Sequence, residues 1–265
     1  MNHVPTVLLT GATDGIGRAL ASALALRGAR LLLHGRSEAK LARLAGELPG
    51  CETLRADFAD LTEVRAMGAQ LAARREPIDV LIANAGVFMT ERVLTVDGCE
   101  TTFQVNHLAH LRLMLDLLPA LRPGGRVVVV ASTSHDKVRA VDLDNLDWHR
   151  DFAGYPAYGL AKLAQLAAAL ELAPRLWERD ITLQALHPGS ILTKLQVAGW
   201  GGGGDPAPDA AVARVLALAL DEPRPLPTGQ WWVEGRPRAA NPLLDDADLR
   251  RALMSRSMAL LEVRT

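Results

Sequence analysis

Tyr158 and Lys162 stand four residues apart in Tyr158-Gly159-Leu160-Ala161-Lys162, inside an apolar stretch that favours helix. At that spacing two side chains share one helix face. A lone phenol ionises near pH ~10 and is a poor base at neutral pH. A positive charge beside it favours the phenolate and brings the pKa toward the working range. Such a pair suits proton delivery to an alkoxide as it forms from a carbonyl, or proton removal in reverse. Tyr155, the only other tyrosine, has Gly159 where its lysine would stand. The same spacing also describes a half-buried tyrosine beside a solvated lysine, so the rest of the chain must decide.

Two more polar residues fit this chemistry. Ser132 ends the apolar run 126–132, where a hydroxyl could hold and polarise a carbonyl oxygen; Thr133 and Ser134 compete for that role. Asn106 interrupts a helical pattern, and Asn is a mediocre helix residue because its side chain competes for backbone groups. His107 and His110 flank it without metal-ligand spacing, and His135 is expected on the substrate side. No metal is expected. No GxSxG elbow is present, which argues against nucleophilic hydrolysis.

These residues need a frame. Short apolar runs at 6–9, 30–34, 52–55, 80–83, 126–131, 182–186 and 230–233 read as strands. Several are apolar throughout, as in strands buried on both faces of a parallel sheet. Helical patterns lie between them, at about 15–27, 37–48, 60–75, 97–121, 155–178 and 209–220. The alternation predicts an α/β, doubly wound Rossmann fold with a parallel sheet of about seven strands flanked by helices. The whole chain, 1–265, reads as a single domain, with a substrate loop near 190–210 and a C-terminal extension near 239–265. Gly- and Pro-rich stretches at 199–208 and 223–229 read as loops within it.

The first strand runs into Thr10-Gly11-Ala12-Thr13-Asp14-Gly15-Ile16-Gly17, and a helix follows. Glycines there permit a tight turn and close approach of backbone N–H groups to a pyrophosphate, with the helix N-terminus adding partial positive charge.

TGxxxGxG followed by YxxxK resembles the short-chain dehydrogenase/reductase family, over nearly the whole chain from Thr6 to about Arg238. Asn84-Ala85-Gly86 matches that family's NAG motif, and Asp57 its acidic residue near the adenine, with Phe58 next to it. Pro188-Gly189-Ser190-Ile191-Leu192-Thr193 is similar to the segment that holds the nicotinamide carboxamide. Each motif falls at the C-terminal end of a predicted strand, the edge where open parallel sheets bind ligands. The resemblance implies Asn106, Ser132, Tyr158 and Lys162 as the catalytic set. Asn106 would hold a relay water, and Lys162 would also bind the nicotinamide ribose. Gln104-Val105-Asn106-His107-Leu108, Ser132-Thr133-Ser134-His135 and the segment 231–237 resemble the retinol-dehydrogenase-like branch, whose members often reduce hydrophobic aldehydes or ketones.

Cofactor choice turns on the end of the second strand. An acidic residue there binds the 2′-hydroxyl of NAD, whereas an arginine accommodates the 2′-phosphate of NADP. His34-Gly35-Arg36-Ser37 offers no acid and one arginine, so NADP(H) is preferred, without excluding NAD(H). Asp14 dissents, standing where many NADP-dependent relatives carry a basic residue. A non-catalytic NADP-binding sensor of the same fold is the alternative, against which the complete quartet argues. A sugar-nucleotide epimerase fits less well, because GxxGxxG and a larger substrate domain are absent.

Composition sets limits. Net charge is -1 and charged residues make up 22%, with no long basic run, so nothing suggests nucleic acid or an anionic membrane. Two cysteines and no signal-like leader suit a reducing cytoplasm. The expected partner is a small carbonyl or alcohol, and the resemblance implies a homodimer or homotetramer. Trp200, beside the glycines 201–204, is expected as an apolar contact on a flexible lid.

Overall fold

The computed structural model describes residues 3–221 and 227–263. Of the loop expected at 223–229, residues 223–226 lie outside the described residues.

Among the described residues one eight-stranded sheet forms the centre, in the order β3-β2-β1-β4-β5-β6-β7-β8. Its strands are β1 (Thr6–Leu9), β2 (Arg30–Gly35), β3 (Glu52–Arg55), β4 (Ile78–Ala83), β5 (Leu121–Val130), β6 (Thr182–His187), β7 (Gln230–Val233) and β8 (Arg236–Arg238). The pairings from β3 through β7 are all parallel, and β8 alone is antiparallel, against β7. The eighth strand was not expected. Glu234 and Gly235, both at positive φ (52 and 75), form the tight turn that folds Arg236–Arg238 back on β7. Two arginines and a proline then leave that edge unattractive for further pairing.

Helices cover both faces. On one face α1 (Gly15–Leu26), α2 (Glu38–Glu47) and α8 (Asp209–Leu216) pack over Val7, Leu9, Leu33, Ile82 and Val128. On the other lie α3 (Leu61–Ala72), α5 (Ala109–Leu117), α6 (Gly154–Trp177) and α9 (Ala247–Val263), over Leu8, Leu32, Leu81, Val127 and Val129. Alternate strand residues thus serve opposite cores, which is why the strands read as unbroken apolar runs.

The helix expected over 97–121 is shorter and irregular. Glu100 caps its start by accepting the N–H groups of Thr102 and Phe103. The short α4 (Thr101–Phe103) passes through a π-helical turn, Gln104–Leu108, into α5, and β5 already begins at Leu121. The C-terminal extension contains α9, whose core stripe Leu253, Ser257 and Leu261 is broken in the middle by a serine. Ser257 is buried because it meets His107 at 2.7 Å, a long-range partner that periodicity cannot reveal.

Candidate active site

The C-terminal ends of the strands gather the residues singled out in the sequence. Gly11 and Gly15 take positive φ (68 and 51), so the turn after β1 needs glycine there. A Cβ on Gly17 would lie 2.0 Å from the Gly11 carbonyl oxygen, so only glycine lets α1 start that close to the turn. The Asp14 side chain caps α1 by accepting the N–H of Gly15, and the Asp14 carbonyl accepts that of Arg18; the N–H groups of Ile16 and Gly17 have no acceptor within the helix. This is a cradle of bare backbone donors suited to a dinucleotide pyrophosphate. Thr13 flanks it, its methyl group lying 2.7 Å from where a Cβ on Gly35 would stand.

Thr10 and Asn84 lock β1 to β4. The Thr10 hydroxyl accepts the N–H groups of Asn84 (2.8 Å) and Ala85 (3.0 Å), and the Asn84 amide donates to the Thr10 carbonyl (2.9 Å). Ala85 packs on Gly11 so tightly that a Cβ there would come within 2.8 Å of the Ala85 Cα. Gly86 gives the same close approach to Asn106, 3.0 Å from a built Cβ to Oδ1. The Asn106 side chain clasps the Val87 backbone at both ends, accepting its N–H (2.8 Å) and donating to its carbonyl (2.9 Å). The Asn106 carbonyl, inside the π turn, accepts from His110 Nδ1 at 3.1 Å. His110 Nε2 then faces the Thr10 hydroxyl at 3.2 Å. Burial holds His110 down to about 3, so it is neutral.

His34 supports the glycine turn from below. Its Nε2 lies 3.0 Å from the Ala56 carbonyl, which only accepts, so that nitrogen carries the proton. Nδ1 then accepts the Gly11 N–H at 3.3 Å. Phe58 stacks on the imidazole at 4.3 Å, so the Phe58 ring belongs to the core, and its carbonyl accepts from Gln104 Nε2 at 3.3 Å. Asp57 accepts the Ala59 N–H (3.0 Å) and donates its own N–H to Glu63 (2.6 Å).

Arg36 follows β2 directly, exposed and without an ion pair among the described residues. Asp14 is engaged: its Oδ2 pairs with Lys40 at 3.0 Å and Lys194 at 2.7 Å, and these two ammonium groups hold its carboxyl down to about 2. Two cations thus hold one carboxylate on this rim.

Ser132 caps the 3-10 turn Thr133–Lys137, accepting the Ser134 N–H at 3.1 Å. The same hydroxyl acts on the Tyr158 phenol, favouring its ionised form, and of the three competing hydroxyls Ser132 alone does so. Tyr158 and Lys162 lie on α6, 4% and 3% exposed. The expected depression of the phenol is not found. Burial pushes Tyr158 well above its ordinary value, against the opposing effect of the Ser132 hydroxyl. The reason is geometric. Lys162 Nζ sits 5.8 Å from the phenol ring centroid and donates to the Val130 carbonyl and Gln165 Oε1, both at 3.0 Å. Both acceptors are neutral, so burial pulls the ammonium down to about 7.

Pro188, Gly189, Ile191 and Thr193 follow β6. Arg214 holds the Pro188 carbonyl at 2.7 Å, and Gly189 takes φ 109. Ile191 bridges to Asp205, which closes the base of the expected 190–210 loop. Between them α7 (Lys194–Trp200) is a helix rather than irregular loop, capped by Thr193, whose methyl lies 3.0 Å from a Cβ built on Gly15. His135 does not line a cleft: it is wedged against Trp231 and bonded to the Ser132 carbonyl (2.6 Å) and to Asn241. Among the described residues no cluster of three His, Cys, Asp or Glu could hold a metal. Nor is any helix among them long and apolar enough to cross a membrane.

Sequence reasoning missed Gln165, His110, His34, Lys40 and Lys194. Each acts through a partner distant in sequence or by a side chain with no motif of its own.

Comparison with known proteins agrees with this geometry. The family model for short chain dehydrogenases matches residues 5–199. The chain belongs to the short-chain dehydrogenase family. It is 43% identical over 197 residues to a Streptomyces sp. (strain C5) protein provisionally named daunorubicin C-13 ketoreductase DnrU, covering 72% of this chain and 67% of that one. Retinol dehydrogenase 14 of Homo sapiens is 35% identical over 215 residues, 73% of this chain and 63% of that one. The matched part is thus about two thirds of these relatives' length. An uncharacterized protein from Mycobacterium Paratuberculosis superposes with a TM-score of 0.80 at 31% identity, over 98% of this chain and 96% of that one. A short chain dehydrogenase from Burkholderia cenocepacia J2315, solved with NADP, gives 0.68 at 25% identity, over 86% and 95%.

Proposed function

We propose that the protein is an NADP(H)-dependent oxidoreductase that reduces the carbonyl of a small hydrophobic substrate or oxidises the matching alcohol. One observation carries the reading: Ser132, Tyr158 and Lys162 are buried together where β5 meets α6, with Lys162 one turn beyond Tyr158 on the same helix face. The complete set argues against a non-catalytic sensor.

The bound nicotinamide would supply or accept the hydride. Thr10, Gly11, Thr13, Gly15, Ile16 and Gly17 would hold its pyrophosphate end, and Asn84, Ala85 and Gly86 the floor beneath its ribose. Asp57 and the Phe58 backbone would meet the adenine, and Pro188, Gly189, Ile191 and Thr193 the carboxamide. Arg36 would meet the 2′-phosphate. Asp14, the apparent objection to NADP, is already neutralised by Lys40 and Lys194. The Burkholderia relative solved with NADP supports the same cofactor.

Ser132 would bind the substrate oxygen and hold the carbonyl against Tyr158. With its pKa raised, the Tyr158 phenol carries its proton at neutral pH and is ready to donate to a developing alkoxide. Asn106 would act by fixing the Val87 turn and presenting its carbonyl toward a relay water. Names of relatives that include a ketoreductase and retinol dehydrogenases support a hydrophobic carbonyl substrate.

The test is NADPH-dependent absorbance change with a panel of ketones and aldehydes. Turnover by the wild type and a loss of about 100-fold or more in Tyr158→Phe is the expected result. Unimpaired turnover in that variant would remove Tyr158 from the mechanism.

A further inference from the structure

Both tyrosines of this aromatic-poor chain, one of its four phenylalanines and one of its five tryptophans meet at the catalytic phenol. Phe88 lies 5.6 Å from Tyr158 and 5.5 Å from Trp200, centroid to centroid. Trp200 stands edge-on to Tyr155 at 5.6 Å and to Tyr158 at 5.7 Å, interplanar angles 86° and 87°. These are the separations and tilts at which ring edges meet ring faces favourably.

Four features mark this as a place for a ligand rather than a piece of core. Trp200 is 39% exposed and belongs to α7, which has no buried residue at all, so ring contacts locate the indole. The turn that follows is unencumbered: a Cβ at Gly201, Gly202 or Gly203 would meet nothing within 4 Å. Phe88 runs between two glycines. A Cβ on Gly199 would lie 3.0 Å from its ring, and one on Gly154 3.4 Å. Bare backbone on both sides keeps the slot beside Phe88 narrow and flat. Tyr155 is also a wall of a cleft of about 310 Å³ that includes Val138, Trp148 and Leu160, within the size range of small-molecule sites.

We propose that the substrate is an aryl carbonyl compound, whose ring takes the place of the Trp200 indole between Phe88 and Tyr155 while its carbonyl faces Ser132 and Tyr158. The remainder of the molecule extends past Tyr155 toward the cleft. A flat ring reproduces the contacts that the indole gives up, whereas a flexible alkyl chain fills the space without them. The inference rests on the carbonyl-reducing reading above.

The test compares 2-acetylnaphthalene with 2-dodecanone, ketones of equal carbon count. Their affinities for the protein with NADP+ bound are measured by calorimetry, and their kcat/KM with NADPH by absorbance. The aryl ketone is expected to bind about tenfold more tightly, with a similar advantage in kcat/KM. Phe88→Leu and Tyr155→Leu should each shrink that ratio severalfold. Equal affinities, or a ratio unmoved by both variants, would overturn the proposal. Preferential binding of the aryl ketone without any turnover would leave the ring slot standing and sink the catalytic reading instead.

Discussion

Lys162 Nζ donates to Gln165 Oε1 at 3.0 Å, and Gln165 is itself buried with its Nε2 unpartnered. This amide and the Val130 carbonyl position the ammonium beside the Tyr158 ring. Tyr158 on α6 and His110 on α5 are the titratable groups around it, and His110 is neutral. Gln165→Glu places a carboxylate where a neutral oxygen stands, so the lysine pKa rises above about 7. If the charged lysine supports turnover, kcat/KM falls as pH passes through that pKa. The falling limb should shift upward by about one pH unit in Gln165→Glu and downward in Gln165→Leu. A limb that stays in place would separate Gln165 from the Lys162 charge.

Lys162 also bears on stability. Its folded pKa, about 7, lies below the ordinary value of 10.5, so between these values the unfolded chain binds more protons. Stability from this group therefore rises with pH across that window, and the burial penalty is fully present below it. Lys162→Met should stabilise the protein by about 1–3 kcal/mol near pH 6, with a smaller gain near pH 10, while removing activity. Denaturant melts at the two pH values check the sign.

Arg36 is exposed and without an ion pair, so its loss should be felt in cofactor choice alone. Arg36→Asp is expected to lower the NADP/NAD ratio of kcat/KM by about 10–100-fold, the worth of a charge-assisted hydrogen bond lost. Thermal melting should be unchanged. An unaltered ratio would refute the assignment.

Trp200 reports on α7. If α7 acts as a lid, a bound ligand should change Trp200 fluorescence and protect 199–205 from protease. Asp14→Asn, which releases Lys194 from its partner, should raise cleavage there in the ligand-free protein by severalfold. Identical cleavage in all states would show that α7 does not respond to ligand.

His107 and Ser257 offer a test of packing away from the site. Ser257→Ala leaves the buried His107 Nε2 without its partner and should cost about 1–3 kcal/mol. His107→Leu combined with Ser257→Ala should recover part of that loss, since both polar groups are then gone.

Much of this molecule could be read from the chain. β1 falls where its apolar run ends, because a strand buried on both faces leaves no choice of side chain; β3 and β7, only partly buried, also keep the expected bounds 52–55 and 230–233. Gly11, Gly15 and Gly17 announced the turn because their geometry excludes every other residue. What escaped notice depends on contacts far apart in sequence. The stripe on α9 is disguised by Ser257, which is intelligible only once His107 is beside it. The phenol pKa went the wrong way because sequence spacing puts Lys162 near Tyr158 but says nothing of Val130 and Gln165, which draw the ammonium aside. β8 was missed because its three exposed residues carry no apolar signal at all.

Arg36, Lys40 and Asp14 sit on the rim with no part in either core, whereas Thr10, Asn84 and His34 are woven into the sheet edges beneath. The two groups are therefore open to change on different terms. Substitutions at Arg36, exposed and in neither core, fall in the class that moves stability by about 0.5 kcal/mol or less. A lineage could exchange one dinucleotide for the other through a few surface steps, each viable on its own. Altering the clamp below would require several coordinated replacements at once.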